Sequence, residues 1–249
     1  MKLVEAIQQK FKLASATKAR KLIKSGFVLV NSIQVQRPDA EVGPQDQLEL
    51  AGHSLRRQQK APFEILFEDE AVLLAVKPAG IVVEDFFKKV CAYTPVILTH
   101  RLDRPVSGIM IFAKSGKIER LLESDWSNND KIYIALVEGS LPKAEGRIES
   151  WLAENKDLKV YSTAEGAHSK RAITHYRTLS KNRVEVRLET GRKNQIRVHL
   201  SDLGCPIVGD KKYGAKSYMQ GRIALHAYQL SFKHPLLGTR MTFSKEAPF

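Results

Sequence analysis

The apolar positions of the first 50 residues predict two short helices followed by a small group of strands. In each helix the apolar residues share one face: Leu3, Val4, Ile7 and Phe11 in the first, and Ala19, Leu22 and Ile23 in the second. Ser15 is a suitable N-cap for the second helix, and Gly26 stands where that helix would end. Residues 27–35 then predict a hairpin with its turn at Asn31-Ser32, and residues 48–50 predict a further short strand.

From Pro62 onward the pattern predicts longer strands interspersed with helices. Residues 109–112 are four consecutive large apolar residues, which predict a strand buried on both faces. Other strands are predicted at 64–67, 72–76, 96–98, 130–137 and 183–189, and helices before 96–98, after the N-cap Ser115 and from Ile196 to Leu203. Residues 145–178 are polar, and we interpret residues 166–171 as a mobile basic loop.

The chain divides at residues 52–61, which are polar and aperiodic and are interpreted as a linker. We therefore expect a small unit at 1–51 and a larger one at 62–249. No apolar run is long enough to span a bilayer, and no charged-then-apolar leader is present. Cys91 and Cys205 are too few and too isolated for a disulfide framework or a zinc site, so a reducing cytoplasmic setting is expected.

The charge of the chain suggests a polyanionic partner. The formal net charge is +13, and the pI is near 9.7. In and just before the second predicted helix, six basic residues follow one another without an acidic one: Lys10, Lys12, Lys18, Arg20, Lys21 and Lys24. The alternative is a solvated basic face on a module that binds no polyanion.

A dense group of charged residues directly precedes the buried strand at 109–112. Asp103 therefore lies at a strand entrance close to the core, where a carboxylate must be desolvated, paired, or both. Such carboxylates are candidates for chemistry. The alternative for an isolated Asp is a structural one, in which it caps a turn or pairs with Arg101 or Arg104.

The string from His100 to Gly108 resembles the signature of the RNA pseudouridine synthases, in the branch typified by the ribosomal large-subunit uridine synthases. That signature is usually written H-R-L-D-x-x-T-S-G, and here Val106 replaces the usual Thr, with the loss of one hydroxyl. Residues 190–199 match a second family pattern, T-G-R-x-x-Q-I-R-V-H, although Asn194 stands where many members have His. Residues 203–214 match L-G-x-P-I-x-G-D-x-x-Y-G. The N-terminal unit is similar to the S-four-type RNA-binding domain, which is named after a ribosomal protein.

The resemblance implies roles for individual residues. Asp103 would be the catalytic residue, Arg192 would pair with it, and Tyr133 would stack on the target uracil rather than serve as a half-buried strand tyrosine. Loss of Arg192 would then harm both folding and rate. Further active-site support is assigned to His100, Arg101 and Ile196. RNA binding is assigned to Lys131 and Arg104, in addition to the six basic residues of the N-terminal unit. The K-P-x-G turn at 77–80 would pack beside the active cleft.

The fold implied is α+β, with a small helix-helix-hairpin RNA-binding domain followed by a mixed, mainly antiparallel β-sheet that has flanking helices and a central cleft. The implied activity is isomerisation of specific uridines to pseudouridine in structured RNA, with large-subunit rRNA favoured over tRNA. This reaction requires no metal or other cofactor, and a monomer is expected. Two alternatives remain open: a non-catalytic RNA-binding or ribosome-assembly protein on the same fold, and a carboxylate-dependent hydrolase of small molecules.

Overall fold

The structure, a computed structural model, describes residues 1–11, 13, 15–24, 28–31, 33–50 and 61–249. The predictions for Lys12, for the helix end at Gly26, for the turn residue Ser32 and for the linker up to residue 60 lie outside these residues.

The N-terminal unit contains two helices and a three-stranded antiparallel sheet. The elements are α1 (Leu3–Lys10), α2 (Ala16–Lys24), β1 (Val28–Val30), β2 (Ile33–Gln34) and β3 (Leu48–Leu50). The strand order is β2-β1-β3. The hydroxyl of Ser15 accepts a hydrogen bond from the backbone N–H of Lys18, so the predicted cap is confirmed.

The rest of the chain forms one large sheet with three α-helices in the described residues. The elements are β4 (Glu64–Glu68), β5 (Val72–Lys77), α3 (Val83–Tyr93), β6 (Ile97–Leu98), β7 (Ser107–Ala113), α4 (Gly116–Ser124), β8 (Asp130–Leu136), β9 (Glu145–Glu154), β10 (Val160–Thr163), β11 (Lys170–Thr178), β12 (Arg183–Leu188), α5 (Gln195–Asp202), β13 (Leu225–Lys233) and β14 (Arg240–Ser244). The strand order is β10-β9-β11-β12-β8-β13-β7-β5-β4, with β14 on β13 and β6 on β7. The β7–β13 pair is parallel, and the other described pairs are antiparallel. The fold is therefore α+β with a mixed, mainly antiparallel sheet.

One stretch of the prediction was wrong. Residues 145–178 carry the three antiparallel strands β9, β10 and β11 rather than an extended polar segment. Lys170 and Arg171 belong to β11, so the predicted basic loop is reduced to the turn that precedes this strand. The outward positions of these strands are occupied by paired charges, such as Arg171 on Glu149, which hide the apolar alternation.

Strand β7 lies at the centre of the core, and all seven of its residues are buried. Ile109 and Ile111 belong to one apolar cluster, and Met110 and Phe112 belong to another. These clusters cover the two faces of the strand, as the sequence predicts. The first cluster also contains Leu3, Ile7 and other core residues of the N-terminal unit, so that unit packs on the large sheet.

Gly108 allows the parallel contact between β7 and β13. Its φ angle is 128°, and a Cβ atom at this position would lie 2.4 Å from the carbonyl oxygen of Ala227. His226 and Ala227 are the register partners of Ser107 and Gly108. A side chain at position 108 would therefore push β13 away from the start of β7, the strand that follows Asp103 in the chain.

We predict that Gly108→Ala destabilises the protein by at least about 2 kcal/mol, because the backbone conformation and the close contact both exclude a Cβ. Urea denaturation at constant pH measures this. Gly191→Ala is the matched control, because a Cβ there meets no atom within 4 Å. Equal stability losses in the two variants would contradict this account of the strand contact.

Two buried histidines join parts of the large sheet. His199 of α5 makes hydrogen bonds with Thr174 at 2.8 Å and Ser150 at 3.0 Å. His226 of β13 bonds Ser107 at 2.8 Å and the carbonyl oxygen of Lys245 at 3.1 Å. Burial lowers the pKa of each imidazole to about 4. Both rings therefore stay neutral in the folded protein while they become charged in the unfolded chain below its ordinary pKa of 6.5.

We predict that stability falls as the pH is lowered from 6.5 towards 4. The pKa of each histidine is lower in the folded protein than in the unfolded chain, so the free energy of unfolding is highest above pH 6.5. Below pH 6.5 each histidine lowers that free energy by about 1.4 kcal/mol per pH unit. Urea denaturation at several pH values gives the slope. His199→Gln should have a shallower slope than the wild type, and an unchanged slope would contradict the prediction.

Candidate active site

Asp103 lies in a tight turn between β6 and β7. The backbone N–H of Val106 donates to the carbonyl oxygen of Asp103 at 3.1 Å, which closes the turn. Leu102 and Val106 are buried on either side, and the Asp103 side chain is 20 % exposed. The apolar neighbours thus anchor the turn while the carboxylate faces an opening.

The ion-pair partner of Asp103 is Arg197, not Arg192 as predicted. Nη1 of Arg197 donates to Oδ2 of Asp103 at 3.0 Å. Arg192 lines the same pocket, but its side chain is exposed and its Nε donates to the carbonyl oxygen of Arg171. Arg192 lies before α5, in the turn that follows β12, whereas Arg197 lies within the buried helix, which directs its side chain to the carboxylate.

Arg197 is itself held by a second carboxylate. Its Nε donates to Oδ2 of Asp210 at 2.7 Å and its Nη2 to Oδ1 at 2.9 Å, so this contact is bidentate. Asp210 is 1 % exposed. Burial opposes the charge of Arg197, but the hydrogen bonds and the negative charges of Asp210 and Asp103 outweigh it and raise the Arg197 pKa. The guanidinium therefore remains charged between two carboxylates.

Asn194 and Tyr213 complete the surroundings of Arg197. Oδ1 of Asn194 accepts from Nη1 of Arg197 at 3.0 Å, and Nδ2 of Asn194 donates to the Tyr213 hydroxyl at 2.8 Å. The guanidinium carbon of Arg197 lies 4.8 Å from the centre of the Tyr213 ring. Both Asn194 and Tyr213 are buried.

An open pocket adjoins Asp103 and Arg197. Its other lining residues are Arg101, Leu102, Val106, Tyr133, Leu188, Arg192, Asn194, Gln195, Ile196 and Leu225. Tyr133 stands in β8 between β12 and β13. Burial, helped by the negative charge of Asp103, raises the pKa of the Tyr133 hydroxyl, so it stays protonated. Asp103, Tyr133, Arg101, Ile196 and Arg192 thus share one pocket.

The K-P-x-G turn packs directly against the Asp103 turn. Lys77 is fully buried, and its Nζ donates to the carbonyl oxygens of Pro78 and Ile81 at 2.9 Å and of Arg104 at 3.4 Å. The backbone N–H of Gly80 also donates to the Arg104 carbonyl. Burial lowers the Lys77 pKa to about 8, although the negative charge of Asp103 opposes this. Lys77 therefore ties the two turns together.

Two predicted site residues lie in a neighbouring pocket, which Tyr133 also lines. His100 accepts a hydrogen bond from the Ile111 N–H, and its ring packs on Trp126. Burial lowers its pKa to about 4, and the charge of Lys131 contributes. Lys131 is itself buried and donates to the carbonyl oxygen of Trp126 at 2.9 Å. The Lys131 ammonium is therefore held inside the fold, and its assignment to RNA binding stays a prediction.

The other basic residues predicted to bind RNA occupy different environments. Arg104 is exposed, and its Nε donates to the Gly80 carbonyl oxygen. Lys10, Arg20 and Lys24 of the N-terminal unit are exposed. Lys18 is half-buried. Lys21 pairs with Glu70 of the large sheet at 3.0 Å.

Arg197 and Asp210 are the site residues that sequence reasoning missed. Both lie in the matched blocks, but the first arginine of the block was chosen as the ion-pair partner. Choosing between Arg192 and Arg197 requires the direction of the side chains on the short helix α5, which the sequence pattern alone does not give. Among the described residues, no cluster of three or more His, Cys, Asp or Glu side chains could hold a metal ion. No helix in the described part of the chain is long and apolar enough to cross a membrane.

Comparison with known proteins matches the chain to one family. Residues 71–202, just over half of the chain, match the family model for RNA pseudouridylate synthase. An uncharacterized RNA pseudouridine synthase of Bacillus subtilis is 34% identical over 211 residues, which cover 76% of this chain and 74% of the relative. Ribosomal large subunit pseudouridine synthase D of Zymomonas mobilis is 33% identical over 226 residues, with 76% and 71% covered.

A solved structure shares the fold at low identity. The human protein RNA pseudouridylate synthase domain containing 1 superimposes with a TM-score of 0.67 at 21% identity, over 78% of this chain and 87% of that one. The family match, the two relatives and the shared fold lead to one assignment. The chain belongs to the RNA pseudouridylate synthase family, the enzymes that isomerise uridine in RNA.

Proposed function

We propose that Asp103 is the catalytic carboxylate of this synthase and that large-subunit ribosomal RNA is its substrate. The contact between Asp103 and the buried Arg197 at the edge of a pocket supports the catalytic role of Asp103. A solvated carboxylate on an open surface would not need such a partner. Here the positive charge of the guanidinium compensates the partial desolvation of the Asp103 carboxylate.

The reaction sets what the pocket must do. The bond between carbon 1′ of ribose and nitrogen 1 of uracil breaks, the base turns, and a new bond forms from carbon 1′ to carbon 5. Carbon 5 then loses its proton, and nitrogen 1 gains one. An ionised carboxylate serves each of three routes: attack on the sugar, attack on the base, or removal of a sugar proton to give a glycal. In all three, Asp103 must reach the flipped nucleotide.

Tyr133 is proposed as the surface on which the uracil stacks. The target nucleotide must leave its helix stack, which costs a few kcal/mol. Stacking on an aromatic side chain returns about 1–3 kcal/mol per base. Tyr133 lines the same pocket as Asp103, and its protonated hydroxyl adds no negative charge beside the carboxylate. The pocket would then serve as the central cleft that receives the base.

The RNA target is proposed from the N-terminal unit and from the relatives. The two helices and the small sheet within residues 1–51 are consistent with an S-four-type RNA-binding domain, joined through residues 52–61 to a catalytic domain at 62–249. Lys10, Arg20 and Lys24 expose their charges there. Relatives in Zymomonas mobilis and Neisseria meningitidis are named ribosomal large subunit pseudouridine synthase D. We propose that the chain acts as a monomer in the cytoplasm.

We predict that Asp103→Asn abolishes pseudouridine formation while RNA binding survives. The amide keeps the size of the side chain but cannot act as an anionic nucleophile or base. Tritium release from a large-subunit rRNA transcript labelled at carbon 5 of uridine reports turnover, and filter binding reports affinity. Asp157→Asn, at an exposed position in the turn between β9 and β10, is the matched control and should keep full activity. Turnover by the Asp103 variant would refute its catalytic role.

We predict that Arg197→Lys lowers both stability and rate. A single ammonium cannot hold Asp210 in a bidentate contact and also reach Asp103, so a nearly buried carboxylate loses hydrogen bonds at a cost of about 2 kcal/mol or more. Urea denaturation and tritium release measure the two effects. Arg192→Lys is the control, because this exposed residue should change stability by no more than about 0.5 kcal/mol. Equal effects of the two substitutions would contradict the assignment of the ion pair.

A further inference from the structure

The hydrogen bonds of Arg197 leave one oxygen of Asp103 uncommitted. Among the described residues, four of the five N–H donors of Arg197 have an acceptor. Nε and Nη2 bind the two oxygens of Asp210, which fixes the plane of the guanidinium. The two hydrogens of Nη1 are divided between Oδ2 of Asp103 and Oδ1 of Asn194, each at 3.0 Å. Arg197 therefore touches Asp103 at a single oxygen.

Within the described part of the chain, no hydrogen bond reaches Oδ1 of Asp103. A carboxylate oxygen that accepts a strong hydrogen bond shares its charge with the donor, whereas one without a donor keeps its lone pairs for a carbon or a proton. A bidentate arginine would occupy both oxygens. A single-point contact is thus the arrangement that stabilises the anion and still leaves an oxygen free to react.

Asn194 accepts the hydrogen of Arg197 Nη1 that is not donated to Asp103. It occupies the N-cap position of α5, where an asparagine side chain usually accepts a hydrogen bond from the first turn, but its side chain makes no such bond. Instead the side chain is used on Arg197 and on the Tyr213 hydroxyl. Its φ angle is 54°, in the left-handed region where Asn and His are enriched among non-glycine residues.

Tyr213 and Asp210 hold the arrangement from the other side. Both lie on one short 3-10 turn, in which the Tyr213 N–H donates to the Asp210 carbonyl oxygen. Tyr213 is 5 % exposed, and the Ser201 hydroxyl donates to its carbonyl oxygen. Asn194 therefore bridges a fixed hydroxyl and the guanidinium, and it cannot turn away without leaving buried polar groups unpaired.

We propose that Asn194 is a positioning residue for catalysis: by accepting one Nη1 hydrogen of Arg197, it restricts Arg197 to one oxygen of Asp103 and keeps the other oxygen available to the substrate. This rests on the proposed catalytic role of Asp103. The role requires one acceptor and one donor in a left-handed backbone conformation. A neutral histidine offers the same pair of groups and tolerates the same conformation, whereas glycine tolerates the conformation and offers neither group.

The test compares Asn194→Gly with Asn194→His. Single-turnover tritium release from the large-subunit rRNA transcript gives the rate constant, filter binding gives the RNA affinity, and thermal unfolding gives stability. In the glycine variant the rate constant should fall roughly 10- to 100-fold, with RNA affinity changed no more than about twofold, because misplacement of reacting groups has effects of this size. The histidine variant should keep the wild-type rate constant within about threefold, since it restores both hydrogen bonds.

Several results would overturn the proposal. A wild-type rate constant in the glycine variant would do so, including when its melting temperature is lowered, because the role would then be structural only. If the histidine variant is as slow as the glycine variant, the donor and acceptor groups of the side chain do not explain the role of Asn194. If the glycine variant does not fold, Tyr213→Phe takes its place. That variant keeps the ring under Arg197 and removes the hydroxyl, so it should be slower than the wild type, and an unchanged rate would count against the proposal.

Asp103→Asn, assayed in parallel, separates this inference from the function on which it rests. An inactive Asp103 variant together with a fully active glycine variant would overturn the role of Asn194 and leave the catalytic role of Asp103 in place. Turnover by the Asp103 variant would overturn both.

Discussion

One guanidinium shared between two carboxylates is the constraint on which the site depends. Arg197 binds Asp210, which is almost fully buried, and Asp103, which borders the pocket. Removing the arginine would leave two anions close together with little water, which is far more costly than losing an exposed ion pair. Lys77 adds a second positive charge nearby and ties the Asp103 turn to the K-P-x-G turn. The pocket is therefore built around compensated charge.

The fold brings these groups together from distant parts of the chain. Asp103 precedes the central strand β7, and the approach of β13 to that strand requires a glycine at position 108. Arg197 comes from a helix that follows β12, and Asp210 comes from the short turn after that helix. Tyr133 comes from β8, which lies between β12 and β13. A shift of the central strands would therefore separate the carboxylate from both its partner and the stacking surface.

Much of this could be predicted from the sequence, for identifiable reasons. The helices, the buried strand β7 and the position of Asp103 follow from apolar periodicity and from a charged cluster beside a core strand. The strands β9 to β11 could not be predicted from the sequence. Small or polar inward positions such as Ser150, together with paired outward charges, obscure the alternation of apolar and polar residues. The ion pair of Asp103 with Arg197 rather than Arg192 depends on the direction in which side chains leave the short helix α5. The inward direction of the Lys131 side chain depends on its hydrogen bond to the carbonyl oxygen of Trp126. These are tertiary features.

The most direct test of the central claim is the coupling energy between Asp103 and each of the two arginines, measured by double-mutant cycles on unfolding free energy. We predict a coupling of at least about 1 kcal/mol between Asp103→Asn and Arg197→Lys, because the two side chains share a hydrogen bond in a partly buried site. With Arg192→Lys the effects should add within about 0.5 kcal/mol. Additive effects of Asp103→Asn and Arg197→Lys on the unfolding free energy would contradict the pairing of Asp103 with Arg197. So would a coupling between Asp103→Asn and Arg192→Lys instead.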